Sequence, residues 1–325
     1  MTTPTLAAVV CAYTEERWQD IVDAVTSLRQ QSPKPDQIIL VIDNNKPLFE
    51  KANQELKSPD IAIIENSQTR GLSGARNSGV AVAKTEIIAF LDDDAEASEG
   101  WCRALLDCFS DPDVVGVGGL VQPRWRAPRP TWWPSEFDWV VGCSYTGLPL
   151  QRGPIRNPIG ANMAVRKSAL DEAGPFSHAI GRVGKHPVGC EETELFIRIN
   201  QTLQANRSTT VLYEPQAKVS HNIPASRANL SYFLRRCFAE GLSKAVVSKL
   251  VGSQDALSSE RTYSTVTLPK GVARGIRDGI KGDRPGFARA GAIVAGLVAT
   301  TIGYARGRMD SGKQLRLPKQ LGGGQ

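Results

Sequence analysis

The chain predicts an α/β fold built on a mostly parallel central sheet flanked by helices. Two features carry this expectation. Between Leu6 and Asp94, short apolar runs alternate with segments of helical periodicity, the pattern of successive βαβ units. Each of three runs also breaks off into polar or acidic residues: Tyr13-Thr14-Glu15, Asp43-Asn44 and Asp92-Asp93-Asp94. In an open parallel sheet the carboxyl ends of the strands share one edge, and ligands bind there.

Taken in order, Leu6–Ala12 is an unbroken apolar run and the first strand. A polar turn leads to a helix through Ile21, Val25 and Leu28, spaced to share one face. Ser32-Pro33-Lys34-Pro35 ends that helix, and Gln37–Ile42 is the second strand. A helix over 48–56 and a third strand at 61–64 follow. The segment R-G-L-S-G-A-R-N-S-G then opens a helix through Val80 and Val82. The fourth run, 87–91, ends in the three acids. Like charges this close cost free energy unless a cation joins them or one keeps a proton. Hard divalent cations such as Mg²⁺ and Mn²⁺ prefer oxygen ligands. Alone, the triplet reads equally as a solvated acidic turn; three strand ends converging on one edge favour a site.

With 325 residues, 41% hydrophobic and 22% charged, the chain is an ordinary globular protein of one large or two modest domains. Its six cysteines are scattered, with no C-x-x-C pair. That argues for reduced, buried thiols and against a disulfide framework or a zinc site. No basic region followed by a long apolar segment opens the chain, so a cytoplasmic location is expected. The net charge of +6 is uneven: twelve Lys/Arg stand against three Asp/Glu from Arg261 to Gln325, giving +9 there and −3 before it. Within this tail an apolar stretch, 290–303, lies between basic flanks that include Arg274, Lys281, Arg289 and Arg306. It is shorter than the ~20 residues that span a bilayer. An interfacial anchor on an anionic membrane surface fits it better than a nucleic-acid site, and an ordinary packed helix stays open.

The strand-end motifs V-V-C-A-Y-T-E-E-R, V-I-D-N-N and F-L-D-D-D, with the R-G-L-S-G-A-R-N-S-G loop, resemble a GT-A glycosyltransferase of family 2. Two later blocks, N-P-I-G-A-N-M-A-V-R-K-S-A-L-D-E-A-G-P-F and G-C-E-E-T-E-L-F-I-R-I, match the family's acceptor side in the same order. The resemblance covers roughly 6–240. It implies a GT-A catalytic domain over 1–240, followed by a helical, basic, membrane-associating region over 241–325 with a disordered L-G-G-G-Q end.

The resemblance also implies roles. The donor is a nucleoside diphosphate sugar, usually a UDP-sugar, with Asp43 hydrogen-bonding the base. Tyr13 and Glu15 belong to the same donor edge. Arg70, Gly71, Arg76 and Asn77 match the loop that closes over the nucleotide, where Arg can pair with phosphate. Asp92 resembles the ribose-side acid of the family's D-x-D and Asp94 its metal ligand. Asp93 and Asn162 are grouped with the donor residues without a separate role. His221, in K-V-S-H-N-I-P, matches a strand-end histidine that could complete the site of a divalent cation, Mn²⁺ or Mg²⁺. Such a cation would stabilise charge growing on the leaving diphosphate. Glu192 is the expected general base, with Glu191 beside it; the family's pair usually ends in Asp, where this chain has the longer Glu192. One base and no second nucleophile point to inversion. The acceptor is a glycan or polyprenyl-linked hydroxyl at the inner face of the cell membrane.

Other features stay open. The aromatic cluster Trp125, Trp132, Trp133, Phe137 and Trp139 can hold an acceptor or edge the core. Arg235 and Arg236 can meet diphosphate or solvent, and 178–190 reads as a loop able to order over the substrates. Two rivals contrast with this reading. A sugar nucleotidyltransferase would carry a Gly-rich basic loop after the first strand, where A-Y-T-E-E-R stands. A noncatalytic sugar-nucleotide or membrane scaffold would have no use for Glu192.

Overall fold

The apolar runs become strands buried on both faces. In the computed structural model of the chain, which describes residues 3–181, 189–204 and 208–309, β1 (Leu6–Ala12) lies between β2 (Gln37–Ile42) and, across the intervening helices, β4 (Ile87–Asp92). Helix α1 (Trp18–Arg29) links β1 to β2, α2 (Lys46–Glu55) links β2 to β3 (Ile61–Glu65), and α3 (Leu72–Val82) links β3 to β4. All three strand pairs are parallel. Register aligns the ends: Ala12 pairs with Ile42 and Cys11 with Asp92. Tyr13, Asp43 and Asp93 therefore follow the sheet on one edge, as the alternation predicts.

The second half of the sheet is mixed. After β5 (Ala95–Ala97) and α4 (Trp101–Cys108) come β6 (Val114–Trp125), β7 (Gly153–Pro154), β8 (Asn162–Arg166), α5 (Lys167–Ala173), α6 (Glu191–Leu203) and β9 (Thr210–Ile223). The sheet runs β3-β2-β1-β4-β8-β6-β9-β5, with β7 against β9. Strand β8 is antiparallel to β4 and β6, whereas β6 and β9 are parallel. Short β5 returns antiparallel on β9, pairing Ala95 with His221. That register brings the histidine to the acid triplet although more than a hundred residues separate them.

Helix α7 (Leu230–Val251) runs through residue 240, and α8 (Ser253–Ala256), α9 (Ser258–Thr262), α10 (Leu268–Ile280) and α11 (Pro285–Met309) complete the described chain. Small residues let α11 press closely on α7: a Cβ on Gly241 would stand 2.0 Å from Thr300 O, and one on Gly303 2.0 Å from Phe238 O. The aromatic cluster is a core edge. Trp133 and Phe137 are buried, and with Trp132 they pack around Phe233 of α7 at ring distances of 5.1–5.6 Å. All six cysteines are free.

The tail helix is longer than its apolar stretch. At 25 residues, α11 is long and apolar enough to cross a membrane by length and composition, so the expectation of a short helix is corrected. One face packs, with Ala290, Ala292 and Ile293 buried; on the other, Phe287, Val294, Val298, Ile302 and Met309 are at least half exposed. The expected loop at 178–190 falls in part, and the L-G-G-G-Q end wholly, outside the described residues. Replacing Gly303 by valine should force α7 and α11 apart. A loss on the order of 1–3 kcal/mol, read as a lowered thermal midpoint, is the expected outcome; an unchanged midpoint would contradict this packing.

Candidate active site

The edge formed by β1, β2 and β4 opens on a cavity of about 660 Å³ whose far wall is the C-terminal helices. Asp92, Asp94, His221, Arg76, Glu191 and Glu192 line it together. Tyr13, Glu15, Asp43, Arg70 and Gly71 stand apart on the adjoining rim, beyond the ends of β1 and β2.

The acid triplet divides sharply. Asp92 ends β4, and its side chain is 31% exposed; those of Asp93 and Asp94 are 6% exposed. Asp94 Oδ1 lies 2.9 Å from His221 Nε2, and its Oδ2 lies 3.1 Å from Arg17 Nη1 and 3.9 Å from Arg227 Nη2. Burial alone would raise the Asp94 pKa, but His221 and the two guanidiniums hold it well below the usual carboxylate range. Burial alone would likewise lower His221, and Asp94 holds it well above its ordinary value. Among the described residues, the Asp93 carboxylate meets Arg17 Nη1 at 2.8 Å, and its Oδ2 has no partner. Burial pushes Asp93 up to about 7, with Arg17 opposing and the neighbouring acids adding. One oxygen each of Asp92 and Asp94 and a ring nitrogen of His221 lie within 4.8 Å of one another. Two hard oxygens and an imidazole at that spacing fit a divalent cation of the Mn²⁺ or Mg²⁺ kind.

Arg76 joins the end of β4 to the start of α6. It is 2% exposed. Its Nη1 donates to Glu191 Oε1 at 2.8 Å and its Nη2 to Gly160 O at 3.1 Å, with Asp92 Oδ1 3.6 Å away. The rings of Phe90 and Phe176 flank the guanidinium. Glu191 and Glu192 open α6 after Cys190, which takes positive φ, and Glu191 Oε2 is buried without a partner. Burial, then the neighbouring Glu191, push half-buried Glu192 up to about 7, against the pull of Arg76.

On the rim, Asp43 holds the loop before α3. Its Oδ1 accepts from Asn44 Nδ2 at 2.9 Å and Asn66 Nδ2 at 2.6 Å, and its Oδ2 accepts from Gly71 N at 3.0 Å. Gly71, at φ 125, supplies a backbone that other residues rarely adopt. Arg70 is exposed, as are Tyr13 and Glu15.

Two expected donor residues spend their side-chain amides within the fold. Asn77 lies a helical step from Arg76 and so faces away from the cavity: its Nδ2 donates to Phe176 O and its Oδ1 accepts from Phe176 N, both at 2.9 Å. Asn162 is fully buried. It accepts from Trp101 Nε1 at 2.8 Å and donates to Ala217 O at 2.7 Å. Sequence reading missed Arg17 and Arg227 on the acids; Arg17 closes the quoted Y-T-E-E-R, whereas Arg227 has no such signal. It also missed Lys244, Arg156 and Glu260, where Glu260 Oε1 accepts from Lys244 Nζ at 2.6 Å and both Glu260 oxygens meet Arg156. The alternatives for Arg235 and Arg236 split, with Arg236 lining the cavity and Arg235 exposed.

A family model described as Glycosyl transferase family 2 matches residues 7–174. A glucosyl-dolichyl phosphate glucuronosyltransferase of Haloferax volcanii is 31% identical over 247 residues, 75% of this chain and 78% of that protein. The succinoglycan biosynthesis protein ExoM of Rhizobium meliloti is 25% identical over 239 residues, 71% of each chain. Among solved structures, the mannosyltransferase PcManGT of Pyrobaculum calidifontis, in complex with GDP-Man and Mn²⁺, aligns with a TM-score of 0.55 at 15% identity, covering 92% of this chain and 88% of that one. GalNAc-T7 with UDP, GalNAc and Mn²⁺ aligns at a TM-score of 0.53 and 15% identity, covering 83% and 58%. These two similarities are of fold.

Arg76→Ala would strand the buried carboxylate of Glu191. It should cost about 3–5 kcal/mol of stability in denaturant unfolding, while Arg70→Ala on the exposed rim should stay within about 0.5 kcal/mol. Equal costs would contradict the division of the two arginines drawn here.

Proposed function

The chain belongs to Glycosyl transferase family 2, and from that premise we propose an inverting, divalent-cation-dependent transfer to a lipid-linked or glycan hydroxyl. It is an enzyme with the GT-A fold that uses a nucleotide-sugar donor. The observation that carries the finer reading is the cavity shared by two acidic groups of different kind. On one wall stand Asp92, Asp94 and His221; on another stand Glu191 and Glu192.

The donor lies along the β1–β2–β4 edge. A carboxylate offers about four acceptor sites, and Asp43 spends three on Asn44, Asn66 and Gly71. One is left for a base N–H, which fits the imide of uracil, and the donor is read as a UDP-sugar. Asp92, Asp94 and His221 would hold the cation, which supplies charge stabilisation to the departing diphosphate. Glu192 takes the proton of the acceptor hydroxyl. Its neighbour Glu191 is tied to Arg76 and holds position rather than moving a proton. Attack from the Glu192 side displaces the diphosphate directly, and a single displacement inverts the anomeric centre.

The acceptor reaches the cavity from a membrane surface. Leu297, Thr300, Thr301 and Tyr304 of α11 line the cavity, while Val294, Val298 and Ile302 of the same helix face outward. Arg274, Arg277, Lys281 and Arg284 stand near the start of that face. An apolar strip between cations suits an anionic interface. The relative from Haloferax volcanii is named for a dolichyl-phosphate-linked substrate, which supports a polyprenyl-linked acceptor. The enzyme therefore works from the cytoplasm, held peripherally on the inner face of the cell membrane.

Glu192→Gln should retain UDP binding and lose about 10²–10⁴-fold in transfer. A base must be unprotonated to act, so the wild-type rate should rise with pH and reach half its plateau near the Glu192 value of about 7. Rate profiles measured on both proteins check this, and full transfer by Glu192→Gln would remove the base. On the membrane side, Val298→Glu with Ile302→Glu should weaken sedimentation with anionic vesicles about tenfold or more. Wild-type sedimentation should also weaken as salt rises. Equal sedimentation by both proteins would remove the docking face.

A further inference from the structure

Arg17 takes no part in the donor and base assignments above, yet it stands at the floor of the cavity. It ends the 3₁₀ turn Glu15–Arg17 directly after β1, with 23% of its side chain exposed. Its Nη1 alone makes the contacts to Asp93, at 2.8 Å, and Asp94, at 3.1 Å. Among the described residues, Nε and Nη2 have no hydrogen-bond partner, which leaves most of the guanidinium's five donors unspent. The Tyr13 ring lies under the guanidinium at 5.7 Å. Asp93 is buried and, among the described residues, has Arg17 as its only side-chain hydrogen-bond partner. Burying a carboxylate for one contact is costly, and that contact holds the Arg17 guanidinium beside the acids.

We propose that Arg17 is a catalytic residue that grips the leaving diphosphate, and that Asp93 is the positioning residue that aims it. The proposal rests on the donor-site reading above. Nη1 of Arg17 spans Asp93 and Asp94. Asp93 would tether the guanidinium while its unspent donors meet the diphosphate oxygens, and a cation held by Asp92, Asp94 and His221 would supply charge stabilisation beside it. Arginine suits this task because its planar fork matches phosphate geometry at fixed charge. The chain thus adds its own cation to the one that Asp92, Asp94 and His221 would hold, placed where negative charge grows as the glycosidic bond breaks.

The test uses the full chain and the variants Arg17→Gln, Arg17→Lys, Asp93→Asn and Asp94→Asn. Three quantities are measured: Mn²⁺ binding alone by calorimetry, UDP binding with Mn²⁺ present, and the turnover number. Arg17→Gln should lose about 10²–10³-fold in turnover and bind UDP more weakly. It should bind Mn²⁺ at least as tightly as wild type, because Asp94 has lost a competing cation. Arg17→Lys should recover part of the turnover, and Asp93→Asn should fall in the same direction by less. A merely structural arginine would weaken Mn²⁺ binding together with turnover, and that result overturns the proposal, as does unchanged turnover in Arg17→Gln. If Arg17→Gln fails to fold, Arg17→Lys decides: turnover and UDP binding equal to wild type overturn the proposal. Asp94→Asn separates the two levels. Loss of Mn²⁺ binding there with a silent Arg17→Gln sinks this proposal alone, whereas intact Mn²⁺ binding in Asp94→Asn sinks the donor-site reading beneath it.

Discussion

Everything at the cavity depends on one buried guanidinium. Arg76 sits between Asp92 at the end of β4 and Glu191 at the start of α6, with Gly160 O as a third partner. The sheet edge and α6 each bring acid to the same place, and neither could do so alone without a large desolvation cost. A lysine would offer a point charge where this geometry needs a flat, multiply donating group. The flanking rings of Phe90 and Phe176, which meet edge-on at 5.4 Å, hold that plane in position. Arg17 does for Asp93 and Asp94 what Arg76 does for Asp92 and Glu191. The site is a row of acids stitched together by two sequence-distant arginines, Arg17 after β1 and Arg76 in α3.

The C-terminal helices complete this construction rather than hanging from it. Helix α7 runs through residue 240, and residues on both sides of that position line the cavity. Glu260 of α9 is bound by Lys244 of α7 and by Arg156 from the segment before β8. Lys244 and Arg156 hold the Glu260 carboxyl down at about 2, although burial opposes this. A triad of that kind fixes the wall as firmly as a core contact would. The glycine-lined approach of α11 to α7 does the same from outside. The helix that carries the exposed apolar strip is thus also a wall of the cavity.

How much of this was legible in the sequence follows from the range of each interaction. The parallel half of the sheet was, because burial on both faces writes itself into unbroken runs such as Leu6–Ala12 and Gln37–Ile42. Convergence of Tyr13, Asp43 and Asp93 on one edge follows from parallel register and was legible for the same reason. The mixed half was not: β8 and β6 run antiparallel through pairings that no local pattern encodes. His221 could be matched by its motif, but its approach to Asp94 depends on the pairing of Ala95 with His221. The hydrogen bonds of Asn77 and Asn162 were not legible, because a polar residue in a motif says nothing about which way it faces. Each spends its amide on backbone, Asn77 at Phe176 and Asn162 at Ala217. Arg17 was visible as a letter in Y-T-E-E-R and invisible as a partner, since a guanidinium's choice of acid is settled only in three dimensions.

The same reasoning separates Glu191 from Glu192, which the sequence leaves as twins. Two carboxylates side by side in a desolvated wall cannot both carry full charge without a cation between them. Arg76 supplies that cation, and its hydrogen bond goes to Glu191. Burial, then repulsion from the neighbouring Glu191, pushes the Glu192 carboxyl up to about 7. A carboxylate with that affinity for a proton is a far better acceptor from a sugar hydroxyl than one held by an arginine. The longer reach of Glu over the family's usual Asp is then no anomaly at this position. Under the proposed assignment, the guanidinium that assembles the cavity also distinguishes its two carboxylates, by hydrogen-bonding Glu191 and leaving Glu192 raised.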